Sequence, residues 1–271
     1  MTTSSKIDDY YRLSLDNFTK ALEIAITTSH ASAGLQCGNR RHWASILFTK
    51  LCTFSISILT LCPGSKLNPK GLHWDFGAIG SLSRNVFECG LSFFYLGIEE
   101  VPEEELKVRL MVMDLHDCIA RIRMSKDLVR DESRAKIYEE AANNLSDKLK
   151  DNVFFTKQPI SVQKSVLKGQ RACIHTQDEI LSRMGEDVSL TRAYYHFLSS
   201  HTHSLPVGFS RMADHNRGHG GENEIDKCYI SQALEFSTDT VRRSTADMQT
   251  AFSDIAKFSE TPFNWNSLRQ K

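Results

Sequence analysis

Between Trp43 and Cys62 the chain reads WASILFTKLCTFSISILTLC, an apolar run with one charge in it. A helix that spans a bilayer needs about 20 apolar residues. Lys50 breaks the run and leaves about 12 uncharged residues beyond it, short of that length. The segment therefore predicts a helix buried in a protein core rather than one inserted in a membrane. A helix this apolar must be covered on most sides by other elements, so the rest of the chain has to supply them.

The cover is helical. Ile7, Tyr11, Leu15, Phe18, Leu22 and Ile26 recur every three to four residues, the period of an amphipathic helix that ends in the Gly34 to Gly38 region. The second helix carries Trp43, Ile46, Leu47, Leu51, Phe54, Ile58 and Leu61 until Pro63 and Gly64 stop it. From about Leu72 to Gly97, Phe76, Ile79, Leu82, Val86, Phe93 and Leu96 keep the same spacing. Pro102 opens a fourth helix with three glutamates in its first turn, where acidic side chains suit the helix dipole, and Leu106, Leu110, Met113 and Ile122 form its expected inner face.

The charged stretch KDLVRDESRAK leads to a polar helix ending near Lys150, and two more helices are expected over Ser161–Met184 and Ser189–His203. A Gly-, His- and Asn-rich loop, about 204–224, is expected to be mobile unless a ligand or partner fixes it. A last helix, about 226–258, closes the bundle. Valine and isoleucine seldom alternate with polar residues, so no strand is predicted. The expectation is an all-α fold, a single multi-helix bundle over residues 1–271.

Charge narrows the function classes. Thirty-three Lys and Arg balance thirty-three Asp and Glu, whereas broad phosphate binding usually needs a basic excess, so RNA or DNA as a partner gains no support from net charge. Near-zero charge also removes self-repulsion and favours a homodimer. The seven cysteines are scattered through apolar stretches without a C-x-x-C pair, which reads as buried thiols in a reducing compartment. With no signal peptide in MTTSSKIDDYYRLS, the expected location is cytoplasmic.

Two polar stripes carry the candidate chemistry. Arg84 and Glu88 are four apart in an otherwise apolar helix, with Ser81 and Tyr95 along the same side. Tyr195, Ser199 and His203 follow at successive steps of four, with Arg192 one turn before. His203 falls in a last helical turn, where the negative helix end favours its protonated form. Together these five residues suit either a catalytic or ligand-binding site or a polar network that fixes helix register. Ser199 lacks the G-x-S-x-G setting of a nucleophile.

Other clusters point elsewhere. His215-x-x-x-His219 with Asp214 and Glu222 has metal-ligand residue types, but the surrounding glycines speak for a solvated loop, and no metal or cofactor is expected. Asp114, Asp117 and Arg121 share a helix face that reads as a solvated ion-pair surface.

The stretch Phe48 to Leu96, with Lys50, Asp75, SLSRNVFE (residues 81–88) and FFYL, resembles a bacterial helical family catalogued as a domain of unknown function. YHFLSSHTHSLP, Tyr195 to Pro206, is similar to that family's Tyr-x-x-Leu-Ser followed four residues later by His. The resemblance spans about 45–210. It implies an all-α fold, no established activity, and Arg84, Glu88, Tyr195, Ser199 and His203 as the signature positions. More remotely the sequence is similar to the helical HEPN ribonucleases of toxin and phage-defence systems, which pair an Arg with a His four to six residues later on one helix. Here three residues separate Arg192 from His196 and eight separate it from His201.

These readings leave three functions open. The first is a helical-bundle protein with a small polar or anion-binding pocket between helices. The others are a HEPN-like RNA-cleaving effector, and a scaffold that binds a protein partner through its 204–224 loop.

Overall fold

The computed structural model describes residues 3–203, 205–213, 217–258 and 263–265. Among these residues the secondary structure is helical, with a single isolated bridge between Trp74 and Gly220. The chain packs as two compact units, residues 1–98 with 181–271, and residues 99–180.

The first unit holds α1 (Thr3–Ser32), α2 (Asn39–Leu61) and α3 (Phe76–Phe93), the last continued by a π turn over Phe94–Ile98. Asp75 caps α3 by accepting from the backbone N–H of Ala78 at 2.9 Å, so the helix starts four residues later than its apolar pattern suggests. The predicted second helix becomes the centre of the core. Ala44, Phe48, Leu51, Cys52, Ser55, Ile58 and Leu59 are buried, in one apolar cluster with α1, α3 and the C-terminal helix. By length and composition α2 is also sufficient to cross a bilayer.

Side-chain pairs set the helix directions. The C-terminal helix spans Glu224–Ala251, shorter than the expected 226–258 at its far end. It runs parallel to α1, since Lys227 meets Asp8 at one end and Gln249 meets Thr28 at the other. α2 runs antiparallel to α3, with Phe48 against Phe93 and Ala44 against Gly97. Glu23 is buried on α1, where it accepts from Trp265 Nε1 at 2.6 Å and from Lys66 Nζ at 2.5 Å.

The second unit begins with an antiparallel pair, α4 (Glu103–Met124) and α5 (Glu132–Lys150). A π turn over Ser125–Val129 joins them, followed by Arg130 in the left-handed region (φ 55°) and Asp131 as the next N-cap. Its inner face corrects the expected one: Glu105, Val108, Arg109, Val112 and Leu115 are the buried residues of α4, one residue out of phase with Leu106, Leu110 and Met113. Hydrophobicity alone selected the flanking stripe, because the central one contains two charges that satisfy each other. Arg109 is fully enclosed, with Nη1 2.7 Å from Glu99 and Nη2 2.5 Å from Glu105.

After α6 (Val153–Thr156) and α7 (Ile160–Leu167) comes a second correction. The single helix expected over 161–184 is broken, because Gly169 takes φ 64° against Ile119 and the chain is irregular until α8 (Gln177–Arg183). A side chain at Gly169 would meet Ile119 at 2.6 Å, so the position needs glycine for both conformation and space.

α9 (Val188–Thr202) lies antiparallel to α3, with Leu198 near Gly80 and Phe197 and His201 against Phe76. Part of the expected 204–224 loop is ordered helix, namely α10 (Pro206–Phe209) and a 3-10 turn over Ser210–Ala213. The C-terminal helix, α11, then begins at Glu224, capped by the Asn223 side chain on the Asp226 N–H.

Candidate functional site

α3 and α9 bring four of the five predicted residues together. Arg84 donates from Nε (3.0 Å) and Nη2 (2.8 Å) to Glu88 Oε1, as expected for an Arg and a Glu one helical turn apart. Across the helix contact, Arg84 Nη2 donates to the Tyr195 hydroxyl at 2.9 Å, and that hydroxyl donates to Glu88 Oε1 at 2.9 Å. Arg84 Nη1 lies 2.8 Å from His203 Nε2, and the guanidinium carbon stands 5.0 Å from the Tyr195 ring centroid.

A guanidinium only donates hydrogen bonds, so in this contact Nε2 accepts, which places the proton of the ring on Nδ1. His203 is the C-cap residue of α9. Burial pushes Arg84 down, and the hydrogen bond and charge of Glu88, with help from Tyr195, outweigh it and raise the guanidinium above its usual range. Burial raises the Tyr195 hydroxyl, Glu88 adds to this, and Arg84 opposes it.

Ser199 does not join. Its hydroxyl donates to the Tyr195 carbonyl at 2.6 Å, a bond inside α9, although it lies one turn from both Tyr195 and His203. Ser81 likewise donates to the Gly77 carbonyl, and Tyr95 is buried in the core beyond the site. Arg192 and His196 are exposed on α9.

The quartet is open to solvent: the Arg84 side chain is 15% exposed and that of Glu88 41%. Glu88 borders a groove of about 270 Å³ between α2 and α3, lined by Leu47, Lys50, Phe54, Asn85, Cys89 and Ser92. Lys50, which read as a break in an apolar run, is therefore a rim cation whose charge opposes the burial-driven rise of the Cys89 thiol to about 11.

Of the candidate metal residues, Asp214 and His215 lie outside the described residues. His219 Nε2 is 3.0 Å from the Met212 carbonyl, and Glu222 pairs with Lys227. Among the described residues no three His, Cys, Asp or Glu side chains converge as a metal site would need. Asp117 and Arg121 form an exposed ion pair at 2.5 Å, while burial and the charge of Asp117 push the Asp114 carboxyl upward.

Sequence reasoning missed two places. One is the Arg109 cluster, whose visible signal was Glu105 and Arg109 at helical spacing. The other is a cleft of about 370 Å³ at the start of α3, where His73, Phe76, His201, Phe209, His219 and Tyr229 meet. Those six come from five separate places in the chain, the start of α3, α9, α10, the loop before α11 and α11 itself, and no local pattern links them.

A model of a family of unknown function (DUF5677) matches residues 41–220. The chain belongs to this family. No curated protein and no solved structure matches it. The DUF5677 match contains the whole quartet and the groove beside it, and it runs from the first turn of α2 to Gly220, the residue bridged to Trp74. It leaves out α1 and α11, whose side chains nevertheless complete the core around α2.

Proposed function

We propose that the protein binds a small polar ligand at the Arg84–Glu88–Tyr195–His203 quartet. The observation that carries this reading is that the quartet converges while remaining open. A network serving only to fix helix register gains from being sealed against competing water. Here Glu88 Oε1 is saturated by Arg84 and Tyr195, whereas no hydrogen bond from the described residues reaches Oε2. That oxygen and the His203 Nδ1–H offer an acceptor and a donor to a ligand.

Arg84 and Glu88 cancel in charge, so the quartet itself favours a polar ligand over a strongly charged anion. A thermal-shift screen of polar metabolites against wild type and Glu88→Gln tests this. A class of compounds should raise the melting temperature of wild type and leave Glu88→Gln unmoved. If every compound that stabilises one stabilises the other equally, the site is elsewhere.

The contact between Arg84 and a solvent-reachable His203 supports a second reading, a HEPN-like RNA-cleaving effector. In it a ribose phosphate would draw Arg84 away from His203, and the Nε2 so freed would take the proton of the 2′-hydroxyl while Arg84 stabilises the phosphate. The purified protein with RNA and a chelator should then give cleavage that Arg84→Ala and His203→Ala both abolish. Intact RNA with wild type would end this reading.

A further inference from the structure

A separate cavity of about 440 Å³ lies between α9 and α11, away from the quartet's hydrogen bonds. Its walls include Phe87, Tyr194 and Phe236. The rings of Tyr194 and Phe236 stack at 5.4 Å with an 18° tilt, and Phe87 packs 5.1 Å from Phe236. Aromatic faces carry negative quadrupole density and attract weakly hydrated cations.

The charges at the mouth fit that polarity. Glu235 and Asp239 are four apart on α11 and so share a face, an arrangement of like charges that costs the helix stability unless a cation offsets it. Glu235 accepts from the Tyr10 hydroxyl at 2.7 Å. Glu186 is paired with Arg243. Asp239 makes no hydrogen bond or ion pair with any described residue. Burial pushes its carboxyl upward, the charge of Arg242 partly offsets this, and Glu235 adds to it. Counting the lining, Glu186, Glu235 and Asp239 face Arg242 and Arg243, which leaves one negative charge in an aromatic-walled cavity.

We infer that this cavity binds an organic ammonium ion, held by Glu235 and Asp239 and seated on Tyr194 and Phe236. The aromatic wall selects an alkylated ammonium over a small inorganic cation, which would have to give up strongly held water to approach a ring. The carboxylates select a cation over a neutral molecule of the same shape.

Choline is a probe of the right class, and its neutral analogue with carbon in place of the ammonium nitrogen is the control. Thermal unfolding and proton NMR titration of the full chain are measured with choline chloride, with the analogue, and with sodium chloride at matched ionic strength. Choline alone should raise the melting temperature and shift the Tyr194 ring signals, with roughly tenfold weaker binding in Asp239→Asn and in Phe236→Leu. Glu235→Gln, at an exposed position, gives a further variant should Phe236→Leu not fold. Equal effects of choline and its neutral analogue would reduce the cavity to a hydrophobic cleft and overturn the inference. So would equal effects of choline and sodium, or undiminished choline binding in both Asp239→Asn and Glu235→Gln.

Discussion

Arg84 Nη1 and His203 Nε2 stand 2.8 Å apart, joining residues separated by 119 positions in the chain. Since the guanidinium supplies only donors, the pair fixes the histidine tautomer as well as the register of α3 against α9. Nitrogen NMR of the His203 ring should therefore find the proton on Nδ1 at neutral pH, and a mixture of tautomers in Arg84→Ala. Observing the Nε2-protonated form in wild type would mean that this contact is absent in solution.

Arg109 is a charge wholly enclosed in its unit. It faces Glu99 and Glu105, with His175 Nε2 a further 3.2 Å from Glu105. Replacing it by methionine keeps the volume and strands two carboxylates in the interior, a loss of about 3–5 kcal/mol. Denaturant unfolding should register this in Arg109→Met and no measurable change in Arg121→Met, whose ion pair with Asp117 is exposed. Similar midpoints for the two variants would contradict the burial of Arg109.

Three buried thiols give the protein an alkaline liability. Burial raises Cys52 and Cys62 to about 12 and Cys89 to about 11, against 9.0 for an unburied thiol. The unfolded chain releases these protons near pH 9 while the folded chain retains them. Their contribution to stability is therefore whole below pH 9 and lost as the pH rises toward 12. Urea midpoints should fall across that window, and Cys62→Ala should flatten the fall. A midpoint that holds steady from pH 9 to 12 would show the thiols to be accessible.

The π turn after α3 depends on a missing side chain. A Cβ on Gly97 would lie 2.7 Å from the Ala44 Cβ and 2.8 Å from its Cα, so α2 would have to move. Gly97→Ala should cost about 1–3 kcal/mol, as overpacking does. The check is thermal unfolding beside Gly221→Ala, where no atom lies within 4 Å and φ is not positive. If both variants melt together, α2 and the π turn are less closely packed than described.

Much of this molecule is written locally. The three-to-four spacing of Ile7 through Ile26 and of Trp43 through Leu61 dictates helices because backbone geometry returns a side chain to the same face every turn. The same rule places Glu88 beside Arg84 before any tertiary contact forms. Where the local rule failed, the cause was long-range. Glu105 and Arg109 sit in the core of their unit because Glu99 and His175 complete a charge cluster around them, and position 169 ends a helix in the left-handed region where Ile119 leaves room for glycine alone.

The sequence by itself determined the long helices of the core, the all-α class and the two polar stripes, since these depend on residues a few positions apart. Only the tertiary structure decided that the stripes meet, that Ser199 turns its hydroxyl to its own helix, and that His203 is an acceptor. It also decided that α9 and α11 enclose an aromatic cavity. Those outcomes rest on which helices pack together, and side chains from tens to more than a hundred positions apart along the chain settle that choice through shape and charge rather than through any local period.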